Sequence, residues 1–236
     1  MSKQMSSGLL ASVVVLGLST VASPLAAAPI VYAQPVTFSS AWLSEDVSGG
    51  ATVWRTFDNF ALAASGTVVG VNFTGAYVDL SNAVFPAPDS TAFTFRFFAD
   101  AAGAPAGAAL HEETVAFGAV SQSYLGTALF GGFKSSVYSL SADLPVGFAA
   151  TGNTPYWLAI SSVAPAGNVQ WAWVGGAGGN NSTLQVLAGN TEFWRTGDRA
   201  FSLEAVPEPG SIMLVTAGLV GLFVRRRAGR ARPTSA

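Results

Sequence analysis

Phe93-Thr94-Phe95-Arg96-Phe97 indicates the fold class of this chain, because three aromatic residues alternate with two polar ones. Successive side chains of a β-strand point to opposite faces, so this period of two predicts a strand with one buried face. The same alternation recurs on both sides of this stretch. Further alternating sets are Val69, Val71, Phe73 and Tyr77; Val169, Trp171 and Trp173; and Phe201 and Leu203.

Turn-rich segments separate these alternating runs. Pro and Gly cluster at residues 85–89, 103–107 and 175–181, where they favour turns over regular structure. No run in the middle of the chain has a helical stripe with capping residues. We therefore expect an all-β fold of about eight to ten strands, a two-sheet antiparallel sandwich of jelly-roll type, over residues 34–205.

The N-terminal region predicts a signal peptide. A basic start precedes the apolar run of residues 9–18, which has the length of a signal-peptide core and is too short to span a bilayer. Cleavage after Ala28 would leave Pro29 at the new N-terminus, a poor substrate for a peptidase that binds extended backbone. We expect cleavage after Ala33, which makes residues 1–33 the signal peptide. An uncleaved anchor or core helix is the alternative.

The C-terminal tail, residues 206–236, has three parts. Pro207-Glu208-Pro209 stays extended, since proline fixes φ and lacks a backbone donor. The apolar run of residues 211–224 predicts a short transmembrane helix. A basic cluster over residues 225–232 would stay on the cytoplasmic side of the membrane. The cluster begins with the membrane stop formed by Arg225, Arg226 and Arg227.

This tail resembles the PEP-CTERM sorting signal of exported proteins in Gram-negative bacteria that make exopolysaccharide. The resemblance implies that an exosortase-type protease of the inner membrane recognises and cleaves the tail. It also implies an inner-membrane intermediate with the module on the periplasmic side, followed by transfer to the cell surface or the exterior. A single-pass anchor that is never cut is the alternative.

The middle region also resembles a β-sandwich module that recurs in exported PEP-CTERM proteins. The resemblance rests on residues 57–62, 68–75 and 95–100, on Tyr156-Trp157-Leu158 and on Trp171-Ala172-Trp173. It implies a sandwich fold and carries over no activity.

Composition restricts the classes of partner. The chain has no cysteine, so the module depends on no disulfide and offers no thiolate ligand. Residues 34–206 hold five basic and twelve acidic residues, a net charge of −7. Such a charge disfavours nucleic acid and polyanionic polysaccharides.

Catalytic and metal signals are weak. His111 is the only histidine, no Gly-x-Ser-x-Gly elbow occurs, and we expect His111 to be solvated at the start of a strand. One histidine without cysteine does not make the usual zinc sets. Asp79, Asp89 and Asp100 lack the spacing of a calcium loop. We predict no enzyme, metal or cofactor, although two acidic residues from distant strands could still pair for glycoside hydrolysis.

The tryptophans leave two functions open. Large rings on one strand face commonly pack between sheets, which favours a structural or matrix-associated surface protein with no chemistry of its own. Exposed rings would instead stack on sugars, which favours a carbohydrate-binding module for exopolysaccharide or other glycans. The candidates for glycan stacking are Trp157, Trp171, Trp173 and Trp194.

Overall fold

The computed structural model describes residues 28–47, 51–188 and 190–207, and in this part the prediction of an all-β fold is confirmed. One short 3-10 turn, Phe117–Ala119, is the exception to strand and loop among the described residues. The strands are β1 (Ile30–Gln34), β2 (Val36–Leu43), β3 (Glu45–Val47), β4 (Ala51–Ala61), β5 (Gly66–Asp79), β6 (Ala92–Ala101), β7 (Ala104–Ala116), β8 (Ser121–Phe130), β9 (Phe133–Ala150), β10 (Pro155–Ala164), β11 (Val169–Gly176), β12 (Ser182–Leu187), β13 (Thr191–Thr196), β14 (Asp198–Arg199) and β15 (Phe201–Pro207).

Several predicted segments lie outside these ranges. They are the signal peptide as far as residue 27, Glu208 and Pro209 of the motif, the apolar run 211–224 and the cluster 225–232. The described part of the chain has no helix that is long and apolar enough to cross a membrane.

The strands form two sheets that pack as a sandwich. The eight-stranded sheet has the order β1-β15-β5-β11-β14, with β2 paired to β11, β9 to β5 and β8 to β9. The seven-stranded sheet has the order β13-β12-β4-β3-β10-β6-β7. The expectation of purely antiparallel pairing is wrong for β3 and β10, which are parallel. The chain passes from one sheet to the other between β2 and β3, and this crossing sets the direction of β3.

The predicted inward faces fill the space between the sheets. Phe93, Phe95 and Phe97 are fully buried, on β6, and face the aromatic residues of the other sheet. Phe73 meets Phe93 edge to face, with ring centres 5.2 Å apart. Such contacts add to the burial of apolar area, which dominates the stability of the fold.

The predicted buried face of β5 is wrong by one residue at its N-terminal part. Val69 was expected inside with Val71, but Val68 is the fully buried residue and Val69 is half-buried. The pairing of β5 with β15 shifts at this point, because two steps on β5 oppose one step on β15. A β-bulge of this kind turns the side chains beyond it to the opposite face.

β1 is part of the sandwich. Ile30 to Gln34 pair with β15, and the carbonyl of Pro29 accepts a hydrogen bond from the amide of Ala205 at 3.1 Å. The ring of Tyr32 lies 5.5 Å from that of Phe201. The predicted cleavage after Ala33 would remove most of β1, whereas cleavage after Ala28 would leave it whole.

We expect a chain that begins at Gln34 to be less stable than one that begins at Pro29. Loss of the half-buried Tyr32 ring and its strand should cost on the order of 2 kcal/mol or more. Urea unfolding of the two purified forms, each ending at Pro207, measures the difference. Tyr32→Phe in the longer form is the matched control, since it removes only the hydroxyl and should cost about 1 kcal/mol. Equal unfolding midpoints for both lengths would contradict a structural role for β1.

Candidate sorting site and aromatic surfaces

The sorting motif begins inside the folded module. β15 lies between β1 and β5, and its last residue, Pro207, pairs with Gly66 at the start of β5. Pro207 is also the first residue of the predicted Pro-Glu-Pro motif. No linker therefore separates the sandwich from the motif.

Three of the four predicted stacking residues lie in the interior. Trp157, Trp171 and Trp173 are fully buried, so their rings cannot stack on a glycan, and this part of the prediction is wrong. Trp171 and Trp173 pack between the sheets, as the alternation on β11 already favoured. Trp157 instead belongs to a separate cluster with Phe57, Phe98 and Leu184, beside Trp194. The ring of Trp171 meets that of Phe93 edge to face at 5.3 Å, and the indole N–H of Trp173 donates to the carbonyl of Ala200 at 3.0 Å.

Trp194 is the exposed member of the predicted set. Its exposed fraction is 51%, and it lies on β13 at the edge of the seven-stranded sheet. One edge of its ring contacts the buried Trp157, with ring centres 6.0 Å apart. Stacking of a sugar on Trp194 stays a prediction.

An aromatic cavity that the sequence did not predict lies on the outer side of the module. It has a volume of about 480 Å³, within the range of small-ligand sites. Trp42 from β2 and Trp54 from β4 contribute the large rings, and Gln185 adds an amide. The indole N–H of Trp42 is buried without a protein acceptor. Trp42 and Trp54 lie on strands of different sheets, with β3 between them in the chain, and no regular alternation marked the pair in the sequence.

The side chain of Arg195 packs against Trp42, one of the rings that line this cavity. The guanidinium of Arg195 lies 4.7 Å from the centre of the Trp42 ring and 4.9 Å from that of Phe193. It also donates to the side-chain oxygen of Gln185 at 3.3 Å. Cation–π contacts of this kind fix the orientation of the rings.

At the mouth of the same cavity, Phe38 has φ of 55° and an exposed ring. Bulky residues rarely adopt this left-handed conformation, and such strain is common at binding sites.

His111 differs from its predicted setting. It lies within β7, not at its start, and its side chain is mostly buried. Its Nε2 lies 3.2 Å from a carboxylate oxygen of Glu113, and its ring packs near Phe97. These contacts place His111 in a structural setting.

Two of the three candidate calcium ligands, Asp79 and Asp100, are engaged by protein donors, whereas Oδ1 of Asp89 is buried without a hydrogen-bond partner and burial raises the pKa of Asp89. The carboxylate of Asp79 accepts bonds from the hydroxyl and amide of Ser81 and the amides of Ala83 and Val84, which lower the pKa of Asp79 to about 2. Asp100 accepts the indole N–H of Trp157 at 2.7 Å. Within the described ranges, no three His, Cys, Asp or Glu side chains are grouped to hold a metal ion.

Among the buried acidic residues, Glu45 and Asp58 have pKa values that burial raises strongly. Burial raises the pKa of Glu45 to about 7, although its Oε2 accepts the amide of Trp171 at 2.8 Å. Burial also raises the pKa of Asp58 to about 8, against the effect of bonds from the amides of Arg199 and Asn59.

Arg199 is a fully buried cation beside Asp58. Burial lowers its pKa to about 10, while Asp58 and Asp198 act in the opposite direction. Its guanidinium donates to Thr183, Ser40 and the carbonyl of Trp173, each at 3.1 Å. Arg199 thereby connects both sheets, since β4, β11 and β12 all contact it.

The comparisons with known proteins identify the tail. A family model for the PEP-CTERM protein-sorting motif matches residues 205–227. The match confirms the predicted sorting signal and is consistent with the class of exosortase substrates. It begins at Ala205, so it includes the last three residues of β15. No match was found among the curated proteins or the solved structures.

We expect the buried carboxyls to make the protein less stable as pH rises. Glu45 and Asp58 titrate near their ordinary values of 4.5 and 3.8 when unfolded, but near 7 and 8 when folded. Between the unfolded and the folded pKa values, the native state binds the carboxyl protons more strongly than the unfolded state does. The free energy of unfolding is therefore highest at acidic pH and falls as pH rises through about 7 to 8. Thermal melts at about pH 5 and about pH 8.5 should show a lower melting temperature at the higher pH.

Glu45→Gln is the matched variant for this effect, because its amide oxygen can still accept the Trp171 amide. It should show a smaller fall in melting temperature over the same pH range. An equal fall in wild type and variant would exclude Glu45 as a source of the pH dependence.

Proposed function

We propose that the protein is an exported surface or matrix-associated protein that is processed through its tail, with a sandwich that performs no chemistry of its own. The match to the sorting motif at residues 205–227 carries this proposal. The matched segment is continuous with β15 and so with the folded module. Sorting by this signal proceeds through a membrane-anchored intermediate and involves an exosortase, a membrane protein.

Three features support a structural role for the module. Its interior is filled by aromatic rings, and its single histidine is held by Glu113. Its buried acids Glu45 and Asp58 accept hydrogen bonds from backbone amides of other strands.

In this proposal the arginines after the apolar run stay in the cytoplasm, and the module therefore faces the periplasm before release.

We expect Glu208→Ala to block release without preventing membrane insertion. The apolar run 211–224 is unchanged in this variant, so partition into lipid is unaffected. The extended motif that the protease reads loses its only charge. Fractionation of producing cells should show the variant in the membrane and the wild-type module in the surface or culture fraction.

Neutral replacement of Arg225, Arg226 and Arg227 is the paired variant. It removes the charges that resist translocation, so we expect weaker retention at the cytoplasmic face with an intact motif. If Glu208→Ala were released like wild type, a plain membrane anchor would be the better account of the tail.

The aromatic cavity supports a second candidate function, binding of a glycan. Trp42 and Trp54 offer rings for stacking, while Gln185 and the unpaired indole N–H of Trp42 offer polar partners. A pyranose ring has an apolar face and hydroxyl acceptors, so it matches both kinds of group.

We expect Trp42→Ala to weaken binding of exopolysaccharide fragments from the producing cells at least about tenfold, which corresponds to about 1.4 kcal/mol. Isothermal titration with the purified full chain measures this. Trp194→Ala is the matched control, because Trp194 lies outside the cavity lining. Loss of binding in the control alone would move the glycan site to β13, and no binding by wild type would reject this function.

A further inference from the structure

The sandwich has one end at which the sorting tail leaves it, here called the tail end. Ala61 pairs with Pro155, and Gly66 pairs with both Ala150 and Pro207. These pairings bring together two turns, the start of β1 and the end of β15. The tail end comprises residues 29–31, 61–66, 149–155 and 205–207.

The tail end carries no charge. Asp100 lies beside it on β6, since Tyr156 pairs with Ala99, and the Asp100 carboxylate accepts the indole N–H of Trp157 and the amide of Gly103. None of the residues of the tail end itself is Asp, Glu, Lys, Arg or His, although residues 34–206 as a whole have a net charge of −7. Glu204, next to it in sequence, accepts a hydrogen bond from the side chain of Asn72 at 2.8 Å, which holds it along the sheet.

Apolar side chains are exposed at the tail end. Ile30 is 60% exposed, Val31 40% and Val206 43%. Val31 and Val206 line a hollow of about 230 Å³, whose nine lining residues are all uncharged, whereas Ile30 lines a separate hollow. Adjacent exposed apolar residues on a soluble module commonly mark a surface that another apolar phase covers.

The length of the tail decides what covers this surface. Residue 211, where the apolar run begins, is four residues after Pro207, and four residues span at most about 14 Å. The headgroup layer on each side of the hydrocarbon core is about 5–8 Å thick. While the run is in the membrane, the tail end therefore lies at most about 14 Å from the hydrocarbon core, either within the headgroup layer or next to it.

We propose that, in the form that begins at Pro29 and keeps β1, the tail end docks on the outer surface of the bilayer that holds the tail, with Ile30, Val31 and Val206 at the headgroup–acyl boundary. This inference rests on the proposed sorting through a membrane-anchored intermediate. The orientation also keeps the acidic parts of the module away from anionic lipid, which would repel them. The docked state presents Pro207 at the membrane surface, where a membrane protease can reach the motif.

The absence of cysteine allows a direct test on residues 29–236, which keep β1 and the tail but lack the apolar run of residues 9–18. Ala63→Cys places one fluorophore on the exposed turn between β4 and β5, at the tail end. Ala87→Cys places it on the exposed loop after β5, at the opposite end of a strand of about 43 Å. Both proteins are reconstituted into vesicles of phosphatidylethanolamine and phosphatidylglycerol that contain a lipid with a quencher on its headgroup.

We expect the protein to float with the vesicles and the label at residue 63 to be quenched several-fold more than the label at residue 87. Val31→Asp should reduce quenching at residue 63, because a carboxylate resists insertion. Val84→Asp, at an exposed apolar residue of the loop after β5, should leave it unchanged.

Each other outcome overturns the inference in a distinct way. Flotation with equal quenching at both sites would reject docking while the anchored intermediate stands. Absence of flotation would reject the anchored intermediate and docking with it. If the fluorophore at residue 63 became shielded from its surroundings only when an exosortase-type protease shared the vesicle, the tail end would be assigned to that protein in place of lipid.

Discussion

The position of β15 is the constraint on which the rest of the structure depends. It pairs with β1 on one side and β5 on the other, and its last residue is the first proline of the sorting motif. Because both neighbours hydrogen-bond to it, the motif is joined directly to the core of the eight-stranded sheet. The start of β1 and the exit of the tail consequently lie at the same end of the sandwich, and any membrane attached to the tail lies at that end.

The interior of the sandwich limits where function can reside. Aromatic rings from both sheets fill it, and even the charged Arg199 is held there by oxygen atoms of several strands. Recognition must therefore use the outside of the module. Besides the exposed Trp194, the described surface has the aromatic cavity beside Trp42 and the uncharged tail end. The cavity suits a ligand with a ring, and the tail end suits a lipid surface.

Much of the fold could be predicted from the sequence, because strand faces repeat every two residues. Phe93, Phe95 and Phe97 obeyed that rule, whereas Val68 replaced Val69 because a bulge adds a residue that pairing alone reveals. The sorting motif was predictable, since its parts are contiguous. The cavity was not, because Trp42 and Trp54 belong to strands that meet only where the chain crosses between the sheets.

Hydrogen exchange of the β15 amides tests the central claim, that the motif is continuous with the folded core. The amide of Ala205 bonds to Pro29, and the buried Leu203 pairs with Val71 on β5. Measured by NMR, both amides should exchange only by global unfolding, as slowly as that of Phe73 in the middle of β5. Exchange as fast as that of the turn residue Ala63 would show that β15 is not held in the sheet and would contradict the account.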